Sequence, residues 1–198
     1  GYECADHINR SGNRVNLLKE TEHNLRAEED YNDLAQLDIK VAREGICWSA
    51  VETAPYVFDF TEVKNRIAAA DKLGIQLIWD LCHFGYPDDL IPTHPQFAAR
   101  FAALCQEFCA FHHEQCQESP WIVPINEISF LSWHSGDMRG TVPFAVNSGW
   151  DIKYHLCKAA IAGIKAIKAV YKNAVILLVE PLVKVHSEDP NIATNEAV

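Results

Sequence analysis

The chain has 198 residues, 27 acidic against 17 basic, and a formal net charge of -10 at neutral pH. An acidic surface repels phosphate backbones, so nucleic acid is not expected as a partner. Hydrophobic residues at 48% and charged residues at 22% place the chain among folded globular proteins. No run approaches the ~18 continuous apolar residues of a membrane span, so no membrane partner is expected either. No signal peptide opens the chain at Gly1-Tyr2-Glu3, although one could have been removed.

Seven cysteines is an odd number, and Cys47, Cys82, Cys105, Cys109 and Cys157 lie in apolar segments. Buried free thiols behave as small hydrophobes and suit a reducing compartment, which points to the cytoplasm.

From about Glu29 to Ala42, residues Tyr31, Leu34, Leu37, Ile39 and Val41 form a rough helical stripe, and Gly45-Ile46-Cys47-Trp48 then reads as a short strand. Thr61 is placed to cap a helix through Leu73, with Val63, Ile67, Ala70 and Leu73 at helical spacing and Gly74 as its stop. Ile75 to Leu81 is a continuous apolar strand of the kind a parallel sheet buries on both faces. A long helix follows from Phe97 to about Gln115, then a strand from Trp121 to Ile125 and an irregular stretch to about Gly149. Asp151 is placed to cap a helix through Tyr171, and Ala174 to Val179 reads as another buried strand.

Strands alternating with helices imply an α/β protein with a parallel sheet, in one domain spanning residues 1–198. Three clear strands, one short one and a remnant of another at the N-terminus are fewer than a (β/α)₈ barrel needs, since that fold takes ~250 residues. The count leaves an open sheet or a truncated barrel.

In parallel α/β folds, functional groups gather at the C-terminal ends of strands. Three such ends carry unusual residues: Arg43 to Ser49, Asp80 to Pro87, and Pro124 to Glu127. Asn126-Glu127 is the sharpest signal. A carboxyl group at the rim of a buried strand, beside apolar walls, is suited to proton donation, and the adjacent amide can bond a sugar hydroxyl. The dipeptide alone is weak, because Asn195-Glu196 repeats it in a polar tail that reads as loop.

His83, Phe84, Tyr86 and Pro87 resemble the His-aromatic-x-aromatic-Pro sequence ending the third strand of glycoside hydrolase family 1 β-glycosidases. Arg43-x-x-Ile46-x-Trp48-Ser49 resembles their second strand, and Trp121 with Asn126-Glu127 resembles their Trp-x-Thr-x-Asn-Glu-Pro fourth strand. Tyr154-His155-Leu156 with Ala159 looks like their next helix. The four resemblances occur in family order across most of residues 31–180. They depart from the pattern at Ile128, where the family has proline, and at Tyr2-Glu3-Cys4, where it has a first-strand glutamine.

The resemblance implies a (β/α)₈ TIM-barrel fold with about its first five strands in this chain, and a retaining β-glycosidase activity on a carbohydrate substrate. Glu127 would be the general acid/base, Asn126 and His83 would hold sugar hydroxyls, and Arg43 would lie beneath the site and keep the nucleophile ionised. Trp48 would pack the barrel. A retaining mechanism needs two carboxyl groups ~5 Å apart. The resembled family carries its nucleophile on the seventh strand, so here it would lie outside the chain. Glu180, after a strand, is expected beside the fourth strand's rim as a substrate-contacting or structural carboxylate.

Trp133, His134 and Trp150 either stack on sugar rings or anchor the loop. His112, His113 and Cys116 share a helix end, but no fourth ligand presents itself, and no metal or other cofactor is expected. No phosphate-cradling glycine loop is present. Two rivals stand beside the hydrolase: a non-catalytic sugar-binding half-barrel, and an unrelated α/β protein with a lysine-paired, buried Glu127. Oligomeric state is not legible.

Overall fold

The computed structural model describes residues 1–116, 118–182, 186, 188–189 and 191. Asn195-Glu196 lies outside them.

The described chain opens with a segment whose Tyr2 N–H bonds the Arg43 carbonyl, but it forms no strand, where a remnant of one is expected from the sequence. After it come α1 (Leu17–Glu20), α2 (His23–Gln36), β1 (Val41–Gly45), α3 (Trp48–Val51), the β2 (Glu52–Ala54) and β3 (Val57–Phe58) pair, and α4 (Thr61–Leu73). Then follow β4 (Gln76–Asp80), α5 (Phe97–Gln115), β5 (Trp121–Val123), α6 (Ile128–Gly136), α7 (Gly149–Val170) and β6 (Val175–Ile176). The main sheet is parallel throughout, in the order β1-β4-β5-β6, while β2 and β3 form a separate antiparallel hairpin. Sequential neighbours joined by helical crossovers give the curl of a barrel wall.

Several elements sit where local signals place them. Gly74 ends α4 in the left-handed conformation (φ 66°), which glycine adopts without steric cost. On α5, Phe101, Leu104, Cys105, Phe108 and Cys109 are fully buried, and Phe108 meets Trp79 of β4 edge-to-face at 5.5 Å. Trp48 packs the core as expected, against Tyr86, Phe97 and Phe101, with its indole N–H donating to Glu52 at 2.6 Å.

Other expectations need correction. The helix expected from about Glu29 runs from His23 to Gln36, and Asp38, at φ 57°, breaks the chain out of it. The strand expected at Gly45–Trp48 is Val41–Gly45, and Trp48 begins a helical turn instead. Thr61 does not cap α4. Its amide and hydroxyl both donate to the Asp59 carboxylate, at 2.9 and 2.6 Å, while Phe60 holds the cap position. Asp151 lies inside the first turn of α7, whose cap position is Ser148. The stretch read as irregular after Ile125 contains α6. Cys157 is exposed rather than buried, although all seven thiols are free. His112, His113 and Cys116 surround the Tyr171 hydroxyl, 3.2 Å from each ring's Nδ1, and so serve as a helix-to-helix clamp.

A strand with two charged residues in five is buried because the two point to opposite faces. Arg43 faces the inside of the curl. Glu44, fully buried, faces the helices, where it accepts from Tyr31 at 2.7 Å and Arg66 at 2.7 Å and meets His23 at 2.6 Å. The other nitrogen of His23 is 2.6 Å from Asp30, so both ring nitrogens face carboxylates and both must donate. Burial alone would lower the His23 pKa, but Glu44 and Asp30 outweigh it and raise it above the ordinary value. A raised histidine contributes stability that is complete below its unfolded pKa of about 6.5 and is lost as pH climbs through the folded value. Urea midpoints are therefore expected to fall between pH 6 and pH 8, and His23→Gln is expected to flatten that slope. An unchanged slope in the variant would remove His23 as its source.

Candidate functional site

The register sets Gly45, Asp80 and Val123 side by side, so the residues following them emerge at one rim. Backbone bonds carry the alignment past the strands proper: Leu81 N–H to Val123, Asn126 N–H to Cys82, and Glu127 N–H to Val179. Alternation then aims the side chains. Trp79 packs outward on α5, so Asp80 points inward with Arg43.

Four of the expected site residues meet there. The Arg43 guanidinium donates to both the Asp80 carboxylate and the Asn126 side-chain oxygen. Asn126 is buried, with 1% of its surface exposed, and is thereby fixed in one orientation. His83 sits above the pair, its Nδ1 3.4 Å from Asp80 and 3.0 Å from the Cys4 sulfur, and its Nε2 3.5 Å from Glu3. Glu127 occupies the N-cap position of α6 at φ 45°, without a side-chain cap bond, in a left-handed conformation that costs a residue with a Cβ roughly 1–2 kcal/mol. Its side chain is half-buried, and its carboxylate makes no hydrogen bond or ion pair among the described residues. A lysine-paired, inaccessible Glu127 is therefore not what the fold presents.

Glu180 reaches the same rim from beyond β6. It is exposed, and both carboxylate oxygens lie 3.1 Å from the Ser129 N–H at the start of α6. Trp133 stands on α6, 47% exposed, and connects through Phe130 (5.8 Å) and Phe84 (5.3 Å) to the His83 ring (4.7 Å). His134 stacks on Phe130 at 5.2 Å, while Trp150 is 85% exposed on α7.

Arg43 is expected to keep a nucleophile ionised; within this chain its carboxylate partner is Asp80, which opens the Asp80–Pro87 strand end but is not among the expected site residues. Its only signal was an acid inside an otherwise apolar strand. Burial, with added repulsion from Glu3 and Glu127, raises Asp80 to about 7 against the opposing pull of Arg43. His83 is lowered to about 4, chiefly by burial and then by Arg43 and His7, and Glu3 only partly offsets this. Near neutral pH the imidazole is uncharged and Asp80 exchanges a proton readily, so the rim offers a neutral ring beside the fixed amide of Asn126 and the unpaired side chain of Glu127. Among the described residues Cys4, Asp80 and His83 are the one group of three metal-ligating side chains with ligand atoms within 4.8 Å of one another. A separate cleft of about 630 Å³, lined by Leu18, Cys47, Val51, Glu62 and Arg66 among others, contains none of these site residues.

No protein-family profile and no curated protein matches the sequence. Solved structures do match. The family 1 β-glucosidase of Thermotoga maritima superposes with a TM-score of 0.77 at 15% identity over 87% of this chain and 41% of its own. The same enzyme in complex with cyclophellitol gives 0.78 at 15% identity, and in complex with glucoimidazole 0.74 at 16%. The fold is that of part of a family 1 β-glucosidase barrel. The chain spans about 40% of the length of these β-glucosidases. At 15–16% identity the likeness is one of fold, and the sheet order, parallel strands and helical crossovers described above are its content. Among the described residues no helix is long and apolar enough to cross a membrane.

Proposed function

We propose that this chain is the acid/base half of a retaining β-glycosidase, with the nucleophile carboxylate supplied from outside residues 1–198. The observation that carries the reading is Glu127, an unpaired half-buried carboxylate on a strained backbone beside the immobilised amide of Asn126. In this reading Glu127 protonates the glycosidic oxygen as the bond breaks and then takes a proton from the attacking water. Asn126, held by Arg43, bonds the hydroxyl next to the reacting carbon, a contact that strengthens as the sugar distorts. His83 accepts from or donates to a second hydroxyl in its neutral form. Trp133 offers a ring face for the sugar or its leaving group, and Glu180 braces the first turn of α6 or reaches the substrate from there. The ligand-bound β-glucosidase neighbours support a carbohydrate as the substrate class.

The rival reading keeps His83, Asn126 and Trp133 as a sugar-binding surface with no turnover. Incubating the natural full-length protein with a panel of aryl β-glycosides separates the two. Release of the aryl group, lost on substituting Asn126 by Ala, is the expected result. Saturable sugar binding with no release would transfer the assignment to a binding protein.

A further inference from the structure

Cys4, Asp80 and His83 reach one point from three segments: the N-terminal extension, the end of β4, and the loop after it. Cys4 and Asp80 are both buried at 1% exposure. The Cys4 sulfur and the Asp80 Oδ2 lie 3.0 and 3.4 Å from the same ring nitrogen, His83 Nδ1. In a tetrahedral zinc site, bonds of ~2.0–2.3 Å put ligand atoms roughly 3.3–3.8 Å apart; the two separations to His83 are close to that range, and the third, from Cys4 to Asp80, is within 4.8 Å.

Three further observations point to a ligand rather than to a self-sufficient hydrogen-bond cluster. The Asp80 Oδ1 is buried with no partner among the described residues, an acceptor the protein leaves open. Glu3 stands 3.5 Å from Nε2 on the far side of the His83 ring, and a carboxylate there fixes the tautomer in which Nδ1 is an acceptor, facing the Cys4 thiol and able to bind a cation once that thiol has lost its proton. Glu3 is itself tied down, accepting from the Cys4 and Ala5 amides at 3.0 and 3.1 Å. Cys4 is also held in place, since a Cβ at Gly45 would fall 2.2 Å from its sulfur.

We infer that Cys4, Asp80 and His83 form a binding site for a borderline-soft divalent cation of the zinc type. Cys4 contributes its sulfur as thiolate, releasing its proton to solvent on binding. Asp80 contributes a carboxylate oxygen, His83 contributes Nδ1, and water takes the fourth position. Arg43 opposes the ion and donates to Oδ2, the Asp80 oxygen beside His83, but that oxygen keeps a second lone pair, Oδ1 has no partner among the described residues, and the negative charges of Glu3 and Glu127 stand against the guanidinium. The site does not depend on the glycosidase reading. Where that reading holds, an ion on His83 competes with the sugar, so the cation would act as an inhibitor.

The test is a titration of the metal-stripped natural chain with cobalt(II), then zinc(II). One equivalent of cobalt should give a thiolate-to-cobalt charge-transfer band in the near ultraviolet, and zinc should erase it. Cys4→Ser should abolish the band, whereas Cys157→Ser and Cys116→Ser should keep it. Glu3→Gln, at an exposed position compatible with folding, should weaken zinc binding about 10–100-fold and so tests the site if Cys4→Ser does not fold. Absence of the band in the parent chain would overturn the inference. So would a band that survives Cys4→Ser, or zinc affinity indifferent to Glu3→Gln.

Discussion

Glu127→Gln in the natural full-length protein is expected to cut cleavage of glycosides with poor leaving groups by roughly 10²–10⁴-fold, the usual worth of a positioned general acid. Glycosides of acidic phenols should lose far less in the bond-breaking step, because such leaving groups depart without a proton. The contrast between the two substrate classes is the diagnostic. A residue that only supported α6 would depress both equally. The fold makes the substitution a clean one: the Glu127 carboxylate has no partner among the described residues, so an amide there strands no buried group. The backbone strain at φ 45° is the same for both side chains. Equal rates for parent and variant on the unactivated substrates would remove Glu127 from its assigned role.

Arg66→Met is expected to cost about 3–5 kcal/mol, the range for removing one member of a buried ion pair. Arg66 donates to Glu44 at 2.7 Å and to the Gly45 carbonyl at 2.5 Å, and its guanidinium lies 5.6 Å from the centroid of the Trp79 ring. Removing it leaves the Glu44 carboxylate fully buried with only His23 and Tyr31 to answer its charge. Against a total stability of about 5–15 kcal/mol that is a large share. It should appear as a lower urea midpoint at constant slope. A loss below about 1 kcal/mol would mean that His23, as a cation, holds Glu44 without help. The same cluster sits directly behind Arg43 on β1, so its failure should also loosen the rim.

How much of this was legible in the sequence depends on how far each residue's partners lie along the chain. Ile75–Leu81, the stop at Gly74 and the helix from Phe97 are local patterns, and they stand where the pattern puts them. β1 was displaced by several residues because its signal is not local. Arg43 and Glu44 look wrong for a buried strand until His23, Tyr31 and Arg66 from two helices answer one of them and Asp80 and Asn126 the other. The nine residues of α6 lack an apolar stripe at helical spacing and begin on a left-handed glutamate, so no sequence signal announced a helix.

The sequence by itself determined the α/β class, the order of its main strands and helices, and the residues at the strand ends where chemistry would gather, because hydrophobic period and glycine stops act within a few residues. Only the tertiary structure decided that Asp80, not a residue elsewhere, partners Arg43, and that Cys4 meets His83 across 79 residues of chain. Such groups are brought together by sheet register and strand alternation, and those are settled only when the strands pair.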